Sequence, residues 1–128
     1  MNSDRPDARR LRRGRAIYNY RCYFCHGYNG DAKTLASTYL SPPPRDFRSL
    51  DAARVSREQF IRAVTHGKPG TAMMRFDGVL NREDIQAVVD FVLTTFVINK
   101  EYNTRYLIPE NGWENHQRYA IAFPFALG

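Results

Sequence analysis

The chain contains 128 residues, of which 43% are hydrophobic, and it carries a formal net charge of +6. This length suits one domain with a short appendage. The longest apolar run, residues 88–98, is interrupted by Asp90 and is too short to cross a membrane, so we expect no membrane-spanning segment. The sequence contains neither an internal repeat nor a low-complexity segment.

The positive charge is concentrated at the start of the first predicted helix. A run of this kind most often forms a solvated helix face, and it can also steer a protein toward acidic partners. No motif that reads nucleic acid accompanies the charge, so we do not expect nucleic-acid binding. The run consists of Arg9, Arg10, Arg12, Arg13 and Arg15.

The first helix is predicted over residues 7–25. Leu11, Gly14, Tyr18 and Cys22 recur at helical spacing and mark its buried stripe. A glycine is costly inside a helix, and Gly14 is explained if a second backbone approaches closely at that point.

The end of this helix carries the most informative motif of the chain, Cys22-Tyr23-Phe24-Cys25-His26. Residues three and four apart share one face of a helix, so Cys22, Cys25 and His26 can converge on one object. The pattern C-x-x-C-H is typical of covalent haem attachment. In such a site both thiols form thioethers to the haem, and the imidazole ligates the iron from one side.

Three other interpretations of the two cysteines remain open. A redox-active dithiol needs a βαβ setting, whereas the preceding residues here predict a helix. A disulfide between Cys22 and Cys25 is the second alternative. A structural zinc site usually takes four Cys or His ligands. The chain has no second ligand pair at suitable spacing, since its other histidines are the isolated His66 and His116.

Residues 27–51 are predicted to be mostly loop and include a stiff run of prolines at 42–44. The middle helix follows over residues 56–66. Ser56 and Gln59 form a capping box at its start. Its buried face is predicted to consist of Phe60, Ile61 and Val64.

Residues 67–76 are predicted to form a loop because they contain two glycines and a proline. The loop holds Met73 and Met74. A methionine in a loop more often fills a gap in a core. Next to a C-x-x-C-H motif it becomes a candidate axial ligand, because electron-transfer haems usually close the second position with Met or His.

The last helix is predicted over residues 81–97, with Asn81 as its N-cap and Glu83 and Asp84 in its first turn. Its apolar stripe consists of Ile85, Val88, Val89, Val92 and Phe96.

Residues 99–128 follow as an extension that is rich in aromatic side chains, which argues against a disordered linker. We expect it to pack on the domain or on a partner, and it is a candidate contact between copies of the chain. The aromatic residues are Tyr102, Tyr106, Trp113, Tyr119, Phe123 and Phe125.

Taken in order, these motifs resemble a bacterial-type class I cytochrome c. The resemblance covers roughly residues 8–98 and implies an all-α cytochrome c fold, with three main helices around one covalent haem c. The domain would occupy residues 1–98, followed by the aromatic-rich C-terminal extension of residues 99–128. The resemblance also implies that Gly14 and Tyr18 lie where the first and last helices cross, against Phe91.

The resemblance assigns the axial ligands. The family's methionine loop commonly reads T-x-M-P-x-F, and residues 71–76 follow this pattern with Met74 in the place of the proline. The implied ligands are therefore His26 and Met73, with Met74 as the alternative to Met73.

The resemblance also assigns the surroundings of the haem. A proline of the loop, for which Pro44 is our candidate, would pack on the haem, and its carbonyl or a neighbour's would accept the proton of His26. Arg45 is a candidate partner for a haem propionate. Tyr39 and Phe47 are candidate walls of the pocket.

The function implied by the resemblance is one-electron transfer by a protein with no catalytic residue of its own. An alternative is a haem subunit that delivers electrons within a larger oxidoreductase complex. A haem with an open distal face, suited to ligand binding or peroxidatic chemistry, is the third interpretation. The family attaches haem c outside the cytoplasm, so we expect a periplasmic protein whose leader, absent from the sequence shown, has been removed.

Overall fold

The computed structural model describes residues 7–103, which consist of helices and connecting loops without a β-strand. The all-α prediction is confirmed for this part of the chain. Two short 3-10 turns occupy Ala36–Thr38 and Phe47–Ser49, and a π-helix over Val92–Ile98 continues the last α-helix. The α-helices are α1 (Ala8–Arg21), α2 (Tyr23–His26), α3 (Arg57–His66) and α4 (Arg82–Phe91).

The predicted first helix is divided at Cys22. The side chain of Asp7 caps α1 by accepting a hydrogen bond from the Arg10 amide at 2.8 Å. Cys22, with φ −112°, departs from ideal helical geometry, and a separate turn, α2, begins at the next residue. Continuous helical periodicity therefore predicted the helix but not its interruption within the C-x-x-C-H motif.

Helices α1 and α4 cross at Gly14. A Cβ atom on Gly14 would lie 2.8 Å from the Cβ of Phe91 and even closer to the carbonyl group of Ala87. One turn further along α1, the Tyr18 ring packs 5.6 Å from the Phe91 ring and 5.3 Å from the Phe96 ring, measured between centroids. The crossing expected for Gly14, Tyr18 and Phe91 is therefore present.

The core lies beneath this crossing and is built mainly from α4 and its π-helical continuation. Tyr18, Phe96 and Val97 have no exposed surface. From the other side, Phe60, Ile61 and Val64 of α3 pack against the cluster while half-buried. The predicted apolar stripe of the last helix is buried in full: Ile85, Val88, Val89, Val92 and Phe96.

A buried carboxylate joins the three long helices. Asp90 of α4 is only 7% exposed. It accepts hydrogen bonds from Arg57 of α3 at 2.7 and 3.1 Å and from Arg10 of α1 at 3.2 Å. A buried carboxylate is tolerated because it is paired and hydrogen-bonded in this way. The network therefore explains an acidic residue inside an otherwise apolar helix.

No helix within residues 7–103 combines the length and the apolar character that crossing a membrane requires. Residues 99–103 of the extension are described and fold back on the domain. The aromatic residues from Tyr106 to Phe125, together with His116, lie outside the described part of the chain.

We expect Gly14→Ala to lower the free energy of unfolding by about 3 kcal/mol, because the added methyl would overlap the α4 backbone and force the two helices apart. Chemical denaturation of both proteins measures the change. Gly78→Ala is the control, since a Cβ there meets nothing within 4 Å. Equal effects of the two substitutions would contradict the close crossing.

Candidate functional site

A groove of about 1100 Å³ opens between α2, the proline loop, α3 and the methionine loop. We call it the central groove. Its volume lies at the upper end for pockets that hold small molecules or cofactors. Most of the residues singled out from the sequence line it: Cys22, Cys25, His26, Pro44, Arg45, Phe47, Met73 and Met74.

Tyr39 was expected to form a wall of this pocket, but it is not among the lining residues and is 75% exposed. The 3-10 turn Ala36–Thr38 buries Ala36, and the Tyr39 amide closes that turn by donating to the Ala36 carbonyl at 3.0 Å. The Tyr39 side chain leaves the turn toward solvent. The sequence of a loop does not indicate whether an aromatic side chain points into a pocket or toward solvent.

His26 presents a defined nitrogen to the groove. Its Nδ1 lies 3.0 Å from the carbonyl oxygen of Arg45. A carbonyl can only accept, so Nδ1 must carry the proton, and Nε2 keeps the lone pair that can bind a metal. Burial lowers the pKa of His26, although the Arg45 carbonyl acts in the opposite direction, and the neutral ring is the form that ligates metal.

The ring of Phe47 supports the same imidazole from its face. The two ring centroids are 4.4 Å apart and the planes are inclined by 20°. Phe47 is itself held by its amide, which donates to the Gly30 carbonyl at 2.8 Å. His26 is therefore fixed both at its Nδ1 atom and across its ring.

The end of α2 is held by hydrogen bonds from three directions. The buried Tyr18 hydroxyl donates to the Gly27 carbonyl at 2.6 Å. The Thr34 hydroxyl donates to the Cys25 carbonyl at 2.9 Å, and the Ala32 amide donates to the His26 carbonyl at 2.7 Å. The core and the following loop thus position the end of the C-x-x-C-H motif through protein contacts alone.

The chemistry of the two thiols does not suit a redox dithiol. Burial raises the pKa of Cys22 to about 12, and burial also raises the pKa of Cys25. A dithiol oxidoreductase needs a thiol with a lowered pKa, because the thiolate is the attacking species. The two thiols are not joined in a disulfide. Within residues 7–103, no group of three or more His, Cys, Asp or Glu side chains converges as a metal site.

The methionine loop lines the same groove as α2 and is held by hydrogen bonds. The Met73 amide donates to the Thr71 hydroxyl at 3.1 Å, and the Met73 carbonyl accepts from the Lys68 amide at 3.1 Å. The Met73 side chain is half-buried and packs against the core, whereas Met74 is 61% exposed. Both side chains line the groove, and Met73 is the better anchored.

The charged part of the lining is mostly basic, although it also includes Asp51. Arginines from the proline loop, the following segment and α3 border the groove, and such side chains suit the carboxylates of a propionate-bearing cofactor. The basic lining residues include Arg21, Arg45, Arg54, Arg62 and Lys68. Sequence reasoning named Arg45 but missed Arg54 and Arg62, which the fold brings to the groove from other elements.

These features together define a class I cytochrome c, and comparison with known proteins agrees. The chain belongs to the family described as Cytochrome C oxidase, cbb3-type, subunit III, whose model matches residues 9–92. Membership of this family implies haem c as the cofactor and electron transfer as the class of function. The residues around the central groove fit that cofactor, since the imidazoles of His26 and His66, two thiols, two thioethers and basic side chains border one largely apolar space.

Three similar proteins are informative. Cytochrome c55X of Stutzerimonas stutzeri is 35% identical over 75 residues, which cover 56% of each chain. The second is a chain of the reducing HAO-like protein complex Kustc0457/Kustc0458 of Kuenenia stuttgartiensis. The match covers 66% of this chain and 41% of that chain, with 29% identity and a TM-score of 0.55. The KustC0563 c-type cytochrome matches 63% of this chain and 94% of its own length, with the same identity and TM-score.

The match to the first two relatives is partial, because the chain covers 56% of the length of one and 41% of the length of the other. Most of the KustC0563 c-type cytochrome is covered, so the shared part is a complete small cytochrome fold.

We expect Gly67→Ala to destabilise the protein far more than Gly70→Ala. Both glycines have positive φ, 74° and 79°, so alanine is strained at either position. A Cβ on Gly67 would also lie 2.8 Å from the Met73 carbonyl oxygen, whereas a Cβ on Gly70 meets nothing within 4 Å. Denaturant unfolding should show losses of about 3 and about 1 kcal/mol respectively. Equal losses would mean that Gly67 does not constrain the methionine loop.

Proposed function

We propose that this protein is a one-electron carrier that holds a single haem c in the central groove. Cys22 and Cys25 would form the thioether bonds, and His26 and Met73 would be the axial ligands. The observation that carries the proposal is the meeting of the C-x-x-C-H turn and the methionine loop across one groove, with the His26 tautomer set by the Arg45 carbonyl.

The main contribution of the chain's own side chains would be to hold the haem site rigid. The haem iron supplies the exchange between ferric and ferrous states when the cofactor is bound. The Arg45 carbonyl and the Phe47 ring keep His26 in one orientation. The apolar walls from α3, α4 and the π-helix, which include Phe60, Val88 and Val92, would exclude water from the site.

The distal side favours a carrier over a catalyst. The Met73 backbone is anchored through its amide and carbonyl, and its half-buried side chain lines the groove, which supports Met73 as the second axial ligand. If His26 and Met73 both bound the iron, oxygen, peroxide and carbon monoxide would have no open position there. Rapid binding of carbon monoxide to the wild type would instead support the third interpretation, a haem with an open distal face.

A role as the haem subunit of an oxidoreductase complex is the second candidate. The matching family is described as a subunit of an oxidase, and one structural relative is itself a protein complex. In the arginine run, Arg10 and Arg13 form ion pairs within the fold, whereas Arg9 and Arg12 are exposed and can attract an acidic partner. Isolation of the protein in a stable complex from its native source would favour this role. For either role we propose a periplasmic location, because that is where haem c is attached.

We expect Met73→Leu to abolish the weak far-red absorption band of a sulfur–iron bond and to open the distal face to carbon monoxide. Met74→Leu is the matched control, because it makes the same change at the exposed neighbour. Optical spectra of both haem-loaded variants, oxidised and reduced, are the measurement. Loss of the band in Met74→Leu with retention in Met73→Leu would move the ligand to Met74. Retention in both would refute methionine ligation.

A further inference from the structure

The chain that follows the π-helix folds back across the 3-10 turn that carries Phe47. We call residues 99–103 the C-terminal strap and residues 45–50 the proximal segment, since the latter contacts His26. Arg48 donates to the strap carbonyls of Lys100 and Glu101 at 2.7 and 2.6 Å. In the other direction, the Nζ atom of Lys100 donates two hydrogen bonds of 2.7 Å, to the carbonyls of Arg48 and Leu50.

This reciprocal set of four hydrogen bonds, the Arg48–Lys100 clasp, has charged donors throughout. Hydrogen bonds of that kind are shorter and stronger than neutral ones. Lys100 also adopts a φ of 55°, which is unusual for a residue other than glycine. A backbone of this conformation persists when its surroundings hold it in place, and the two bonds from Nζ do so here.

The strap is fixed on both sides of the clasp. The Arg48 guanidinium lies 4.4 Å from the centre of the Tyr102 ring. Beyond it, the buried Asn103 donates from its amide to the Asn29 side chain at 2.8 Å and from its side chain to Asn19 at 2.7 Å. The clasp therefore ties the proximal segment to a strap that is itself anchored on α1 and the following loop.

The proximal segment makes both of the contacts that orient His26. The Arg45 carbonyl accepts from Nδ1, and the Phe47 ring stacks on the imidazole. Besides short turns, such as the bond of 3.2 Å from the Leu50 amide to the Phe47 carbonyl, the backbone of the segment is tied to the preceding loop by the Phe47 amide, which donates to the Gly30 carbonyl at 2.8 Å. The carbonyls of Arg48 and Leu50 accept hydrogen bonds from the charged Nζ atom of Lys100, which lies on the strap.

We propose that Arg48 and Lys100 are positioning residues for the axial histidine. The clasp holds the proximal segment so that the Arg45 carbonyl and the Phe47 ring stay against His26. This inference rests on the proposed ligation of haem iron by His26. A hydrogen bond at Nδ1 makes the imidazole a stronger electron donor, which favours the ferric state. The clasp therefore keeps the reduction potential lower than it would be with a loosened segment.

The experiment compares haem-loaded, full-length wild type with Arg48→Met and Lys100→Met. We expect both variants to have a higher midpoint potential. We also expect the Nδ1 proton of His26, followed by NMR in the reduced protein, to exchange about tenfold faster, because losing charge-assisted hydrogen bonds favours local opening. Removing a nearby cation would by itself lower the potential, since a cation stabilises the state that holds the extra electron. The sign of the shift therefore separates positioning from simple charge loss.

Three further variants complete the comparison. Arg9→Met removes an exposed arginine from the start of α1 and should leave both the potential and the exchange rate unchanged. Lys100→Arg keeps the charge and the donors and should restore values close to those of the wild type. If a methionine variant fails to fold, Lys100→Gln, which retains an uncharged NH2 donor group, should move both quantities in the same direction but less far.

The positioning role is overturned if the potential falls or if the proton exchanges at the wild-type rate. It is also overturned if Arg9→Met shows the same changes as the clasp variants. A lowered stability with both readouts unchanged would make the clasp purely structural. These results differ from failure of the proposed function, which would appear in the wild type itself as a spectrum without His26-ligated low-spin haem.

Discussion

The close approach of α1 to α4 at Gly14 is the constraint on which the remaining structure depends. With no side chain at this position, the α4 backbone and Phe91 lie where a Cβ would otherwise be. Tyr18 then reaches the core, where its hydroxyl meets the Gly27 carbonyl at 2.6 Å. The crossing therefore helps to position the end of α2, which carries Cys25 and His26.

The second constraint is the way in which several weak contacts converge on one imidazole. The Arg45 carbonyl sets the tautomer of His26, and the Phe47 ring limits rotation. On the outside of the same segment, the Arg48–Lys100 clasp joins it to the strap. The site is thus supported from its inner and outer sides, which suits an electron-transfer centre because a rigid site needs little rearrangement when the charge changes.

Much of the fold could be predicted from the sequence because its signals are local. Caps at Ser56 and Asn81 mark two of the three long helices, and the structure shows each side chain accepting from an amide three residues ahead. Gly14 indicated a helix crossing, since a glycine inside a helix needs a reason. Family resemblance added Phe91 as the partner.

Other features could not be predicted from the sequence because they depend on residues far apart in it. The clasp joins Arg48 to Lys100, and nothing in either local pattern distinguishes them from solvated side chains. Arg54 and Arg62 reach the groove only through the packing of their elements. Tyr39 was wrongly placed in the pocket for a different, local reason, since the direction of its side chain is decided by the turn that immediately precedes it.

The central claim is that the C-x-x-C-H turn holds haem covalently in the central groove. The most direct test is the intact mass of the denatured protein, made in a host that attaches haem c, beside that of the Cys22→Ser, Cys25→Ser double variant. The account predicts the mass of the chain plus one haem for the wild type and the bare chain for the variant. A wild type without added mass, or a variant that keeps it, would contradict the account.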